Sequence, residues 1–298
     1  MNNLVVIAIC LTAGLVLQRL RRLPENTAQV LNHYVINIAL PALVLAELPK
    51  LSINTDVAIP LMSSWAAMLL SVVVVLLLMK ILHWSREVSA VMLLLVPLGN
   101  TSFVGFPMVE ALLGEQALPY AIIYDQLGSF VAVSTYGMLV LAYYSGGSIS
   151  PSLLAKKLLS FPPFIAVIMA AFLIGREYPI WLYEALARIG SSLVPVVMVA
   201  VGLQWRLRFD RAYLLPLSLA LTLKLLLIPA LLWLAMSSLQ VTGLAAQTAL
   251  LESSMPAMIT AGALLASHNL APRLASTIVG YGLLLSLATV PLWSMIIS

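Results

Sequence analysis

Apolar windows of about 20 residues recur along the whole chain, from NLVVIAICLTAGLVL at its start to IVGYGLLLSLATVPLWSMII at its end, and each is long enough to cross a hydrocarbon layer roughly 30 Å thick as a helix. No soluble domain of any size fits between them. The composition agrees: 62% of the 298 residues are hydrophobic and 9% charged, where a soluble domain carries about 25% charged residues. The mean hydropathy is +1.06.

The windows predict an all-α membrane protein with ten spans, over residues 3–18, 27–48, 57–80, 88–113, 117–144, 158–175, 179–203, 212–237, 243–267 and 273–297. The second, fourth, seventh and ninth are the least regular. MNNLVVIAIC has no basic n-region and no Ala-x-Ala-like cleavage site, so it reads as a retained first span. Orientation follows from the basic residues of the connections. With the first connection in the cytoplasm, Arg19, Arg21, Arg22, Lys80, Arg86, Lys156, Lys157, Arg206, Arg208, Arg211 and Arg273 fall inside, and only Lys50 and Arg176 outside. That asymmetry predicts a multi-pass protein of the cytoplasmic membrane with both termini on the outer, periplasmic side. The formal charge of +4 is spread one connection at a time, without a basic patch, which excludes a nucleic-acid partner.

Five spans precede the polar cytoplasmic connection over 146–157 and five follow it, dividing the chain into repeats 1–145 and 158–298. An odd number of spans per half makes such a repeat inverted. Pro41 corresponds to Pro195 and Pro60 to Pro216, at offsets of 154 and 156 residues. The same offset lays the fourth span on the ninth, and both carry polar, helix-breaking stretches: PLGNTSFVGFPMV at 97–109 and LLESSMPAMIT at 250–260.

Prolines, glycines and short polar residues each weaken a helix. In hydrocarbon an unpaired amide or carbonyl costs several kcal/mol, so broken backbone survives only where it lines protein or a wet cavity. Two breaks at corresponding positions therefore predict a cavity near the midplane, where half-helix N-termini attract an anion and freed carbonyls suit a cation. Pro97, Gly105, Pro107 and Pro256 are the expected crossover and hinge residues, and Gly99 permits close packing there.

The stretches INIALPALVL, LGNTSFVGFPMVEALLG, AIIYDQLGSF, IGSSLVPVVMVAVGLQWRL, KLLLIPALL and ESSMPAMITAGALLASHN, in this order, resemble the auxin efflux carrier family, which includes plant PIN carriers and bacterial malonate-carrier-like proteins. The short central connection matches the compact prokaryotic members. The resemblance implies a 5+5 inverted repeat with crossing fourth and ninth helices, transport of organic anions, and a homodimer, although no dimer interface stands out in the sequence. It also places Asn100 at the helix crossing beside a substrate carboxylate. An asparagine amide there can donate to an oxyanion or cap the second half-helix. Thr101, Gly99, Ser253, Ser254 and Asn37 complete the expected binding residues; the two serines could equally bond their own helix, and Asn37 could hold the second span open before Pro41.

Charged groups inside spans are functional candidates by default. Asp125, followed by Ser129, Ala132 and Tyr136 on one small polar face, is the leading proton-coupling residue, with a fixed hydrogen bond to a broken helix as the alternative. Glu252, one turn before Pro256, could hold a proton or sodium coupled to the anion. Lys224 could neutralise an anion, pair with a buried acid, or extend to the inner surface. Glu184 and Arg188 have the spacing of a helix-stabilising pair. Glu47 and Glu110 read as solvated at the outer interface, and the tryptophans and tyrosines as interfacial anchors.

His33, His83 and His268 are far apart, Cys10 is alone, and no HExxH, GxxxxGK or GxSxG occurs, so neither a metal, a cofactor nor catalysis is expected. Ser253 and Ser254 lack a paired general base, which argues against an intramembrane hydrolase. The sequence thus points to a secondary transporter or facilitator of small organic anions working by alternating access. A membrane-embedded anion sensor of the same fold, without transport, is the rival reading.

Overall fold

The computed structural model describes residues 2–51, 55–146, 150–176, 179–205 and 210–297, and its regular structure is helical apart from one isolated bridge pair. In chain order the helices are α1 (Asn2–Leu20), α2 (Thr27–Lys50), α3 (Ala58–Leu82), α4 (Arg86–Leu95), α5 (Thr101–Leu113), α6 (Glu115–Ser145), α7 (Pro151–Leu159), α8 (Pro162–Ala171), α9 (Ile180–Gln204), α10 (Arg211–Ser238), α11 (Leu244–Ser253), α12 (Ile259–Ser267) and α13 (Pro272–Ile297). Six of them, α2, α3, α6, α9, α10 and α13, are long and apolar enough to cross a membrane. The chain is a multi-pass membrane protein.

The other windows of the ten-span reading behave differently. Residues 3–18 fall within α1, and 88–113 and 243–267 are each divided, into α4 and α5 and into α11 and α12. Residues 158–175 take in the end of α7 and then α8, whose ten residues span roughly 15 Å, half the hydrocarbon thickness. Ser160 and Phe161 interrupt the chain just before Pro162. The connection read as a linker holds helix α7, begun by Pro151 at its first position, where a missing amide hydrogen costs nothing. Arg206 and Arg208, used for the orientation, lie outside the described residues, as does the side chain of Lys157.

The third helix shows how a long helix sorts its residues between bundle and lipid. On α3, Ser63, Ser64, Ala67 and Ser71 are buried while Leu69, Leu77, Val73 and Ile81 stand exposed at four-residue spacing, the arrangement expected where lipid is the solvent.

The helices form two groups. In the first, α1 packs along the second half of α9, and α2 packs against both α8 and α9. The crossing of α1 with α9 is made at Gly14 and Gly202: a Cβ on Gly202 would stand 2.9 Å from the Gly14 Cα, so the two backbones touch. In the second, α3 packs against α6, α10 and α11, while α12 packs against α4 and α13. The seam runs where α5 meets α1 and α9, and where α6 meets α2 and α8.

Five stretches widen into π-helix: Val35–Ala39, Thr101–Gly105, Tyr124–Ser129, Val133–Gly137 and Leu223–Leu227. Three of them stop two residues before a proline, at Pro41, Pro107 and Pro229. The proline ring excludes the carbonyl four residues back, and the turn ahead of it loosens by one residue. The amides of Leu40, Phe106 and Ile228 accordingly reach five residues back, to the carbonyls of Val35, Thr101 and Leu223. Widened turns free backbone acceptors, and tryptophans take some of them up. Trp65 donates to Leu127 O (3.2 Å) and Trp293 to Leu225 O (2.8 Å), both inside π stretches, and Trp205 donates to Gly280 O (3.0 Å). These three indoles are internal fasteners rather than the interfacial anchors expected.

Candidate functional site

The two interruptions meet. After α4 the chain runs extended through Gly99, and after α11 it turns through Ser254 and Pro256; Gly99 and Ala257 pair as an antiparallel bridge. The Asn100 amide donates to Pro256 O (2.8 Å) and the Met258 amide to Leu98 O (3.0 Å). Backbone that would otherwise be orphaned in lipid is satisfied by the other break. The two remaining irregular windows each hold one continuous span: α2 carries its π turn before Pro41, and α9 a two-residue turn at Ser191 and Ser192.

Asn100 is buried, at 4% exposure. Its main-chain carbonyl accepts from the amides of Val104 (3.3 Å) and Gly105 (3.0 Å), starting α5. Its side chain does not cap that helix, and Nδ2 has no partner. A buried amide with free protons is costly unless something accepts them.

Behind the crossing lies a narrow cavity lined by Ser64, Gly99, Thr101, Ser129, Lys224 and Glu252 among others. Its free space accommodates about one water molecule, so the site is closed as it stands. Pro97 also lines it, and Pro107 sits in the first turn of the helix beyond the π stretch.

The structure brings Glu252 and Lys224 to the lining of this cavity and ties Asp125 to Thr101, which also lines it; the three in-span charges are treated differently. Asp125, 2% exposed, is held by three donors: Thr101 Oγ1 (2.5 Å) and Ser102 Oγ (2.6 Å) to Oδ1, and Gln126 Nε2 (2.6 Å) to Oδ2. The carboxyl thus ties α6 to the first turn of α5. Glu252 is 0% exposed and neither carboxyl oxygen has a hydrogen-bond partner. It lies directly over Gly105, where any Cβ would collide with the carboxyl group. Lys224, 6% exposed in the π stretch before Pro229, is buried rather than extended to the surface; a Cβ on Gly99 would stand 3.1 Å from its Nζ. Two glycines, at 99 and 105, thus make room for two groups of opposite charge.

Several expected residues have plainer surroundings. Ser253 Oγ donates to Leu250 O and Ser254 Oγ to Leu251 O, both at 2.7 Å, so their protons are spent on their own helix. Asn37 is exposed and donates to His33 O (2.7 Å), one turn back, and does not line the cavity. Ser129 and Ala132 do line it, whereas the Tyr136 hydroxyl donates to Leu93 O (2.7 Å). Glu47 is buried and paired with Lys50 (2.8 Å), whose ammonium also lies over the Tyr183 ring, so solvation is not its explanation.

Sequence reasoning missed Ser102, Gln126, Ser64 and Gly128. The first two were legible as the polar neighbours of Thr101 and Asp125. Gly128 takes the close approach of Ser64 on α3, a contact that nothing local announces.

A multi-pass bundle with two interrupted segments stitched together over buried charges has the architecture of a membrane transport protein. Residues 1–294 match the family model described as membrane transport protein, and the chain belongs to that family, the auxin efflux carrier family indicated by its motifs. It is similar to an uncharacterized transporter of Methanothermobacter thermautotrophicus, 29% identical over 95% of this chain and 94% of the relative. It is also similar to an uncharacterized transporter of Methanocaldococcus jannaschii, 24% identical over 100% of this chain and 98% of that protein.

Proposed function

We infer that the protein is a secondary carrier for small organic anions, carboxylates above all, in the cytoplasmic membrane. The crossing of the two broken segments carries this reading: it sets the free amide protons of Asn100 and the ammonium of Lys224 beside opened backbone, a donor set that suits an oxyanion. On this reading the ten windows are ten spans in two inverted repeats of five, with both termini outside and α8 completing its crossing with the adjoining turn. The group containing α1, α2, α8 and α9 serves as the frame. The group holding the crossing rocks against it along the seam at α5 and α6, opening the closed cavity to one side and then the other. Asn100, Gly99 and Thr101 face the anion, Pro97, Gly105, Pro107 and Pro256 shape the hinge, and Asp125 anchors α5. Glu252 and Lys224 couple the movement to a proton or sodium.

Uptake of labelled malonate, lactate and benzoate into proteoliposomes, with pH gradient, sodium gradient and voltage set independently, tests the reading. Flux of a carboxylate that Asn100→Ala lowers at least about tenfold is the expected result. A carboxylate that binds the purified protein yet crosses under no gradient would make it a sensor instead.

A further inference from the structure

Binding an anion at Asn100 leaves unexplained why an acid and a base should both be buried behind it. Glu252 has no donor on either oxygen, and a carboxylate without donors in a dry interior is untenable unless neutralised. Lys224 lines the same one-water cavity, on a flexible four-carbon stem that can carry its ammonium across so short a gap. The charged and titratable groups facing Glu252 are Lys224, Asp125 and the Tyr124 hydroxyl. Asp125 is fully engaged by its three donors, and Tyr124 is a phenol with no charge to give. Lys224 is therefore the internal counter-ion available to Glu252, and it is also the cation nearest Gly99 in the crossing.

We propose that Lys224 is shared in turn between Glu252 and the transported anion, so that Glu252 takes up one proton for each monovalent carboxylate bound. The proposal rests on the carrier reading of the site. In the empty state the ammonium of Lys224 balances the carboxylate of Glu252. When an incoming carboxylate engages Lys224, Glu252 loses its counter-ion and an O–H bond forms on one of its oxygens, the proton coming from water on the open side. The cavity then holds one ammonium, one bound carboxylate and one neutral acid. Its charge is the same before and after, which a low-dielectric interior demands. On release both steps reverse. Sodium is excluded from this role because the resident ammonium repels a second cation.

Infrared difference spectra of the purified protein follow the protonated carboxyl of Glu252 directly, with Glu252→Gln identifying its band. In Lys224→Gln, or Lys224→Met where that variant does not fold, the band persists to more alkaline pH by about one unit or more, since the balancing ammonium is gone. An unchanged titration in both variants overturns the proposal. A pH-indicator dye in weakly buffered solution gives the stoichiometry on adding lactate, malonate or benzoate. Uptake of one proton per monocarboxylate bound is expected in the wild type, and none in Glu252→Gln. Undiminished proton uptake in Glu252→Gln, or binding to the wild type with no proton uptake, also overturns it. If none of the three acids binds or moves, the carrier reading fails, while the infrared comparison still decides the link between Lys224 and Glu252.

Discussion

Two crossings organise this molecule, and they are built on opposite plans. Where α1 meets α9, Gly14 and Gly202 remove every side chain and the backbones touch. Where the two broken segments meet, Gly99 and Gly105 remove side chains so that a lysine and a glutamate can approach the backbone. In the first case glycine gives dry, rigid contact. In the second it makes a slot for charge. The same residue type thus serves a frame in one place and a responsive site in the other, and only its neighbours distinguish the uses.

One substitution made at both places exposes the contrast. Gly202→Ala drives a methyl into the Gly14 Cα and the Leu11 carbonyl, neither of which can step aside, and should cost about 3 kcal/mol or more, read as loss of folded protein or a depressed Tm in detergent. A mild effect would show that the frame is less rigid than its contact suggests. Asp125→Ala comes next. It strands the donors of Thr101, Ser102 and Gln126 and should cost about 2–4 kcal/mol, with Asp125→Asn recovering part of the loss. If Asp125→Asn instead abolishes pH-driven uptake while leaving Tm intact, the clamp is the proton carrier after all.

Gly105→Ala should cost less, about 1 kcal/mol, because the Glu252 carboxyl it meets ends a side chain that can turn away. Its expected effect is on function, an altered pH dependence of uptake at near-normal stability. Equal stability losses at Gly105 and Gly202 would erase the distinction between the crossings. Ser253→Ala should do least, within about 0.5 kcal/mol in stability and without change in uptake, since its hydroxyl only bonds its own helix; a large loss of uptake would place it in the binding surface.

The apolar windows announced the long helices, and the prolines and glycines at 97–107 and the Glu-Ser-Ser-Met-Pro stretch at 252–256 announced both breaks, because those residues act on the backbone where they stand. What remained hidden depends on contacts made across the bundle. The bridge between Gly99 and Ala257, the placing of Ser64 in the space at Gly128, and the seating of the Lys50 ammonium over the Tyr183 ring join segments far apart in the chain. The π stretches were half legible: Pro41, Pro107 and Pro229 marked three, whereas those in α6 have no proline to signal them. Asp125, Glu252 and Lys224 were visible as charges in apolar surroundings, but which of them lacked a partner was a question of geometry. The window at 158–175 gave the apolar stretch but not the short helix within it, because hydropathy cannot see where Pro162 obliges a helix to begin.

The stitch between the broken segments is made by main-chain atoms, two amides giving to two carbonyls. Substitutions along this line can therefore remodel what the pocket recognises without untying the knot that positions it, with one exception. Proline at position 100 or 258 would delete a donor of the stitch itself, so those two places should be the least forgiving of that residue in any redesign of selectivity.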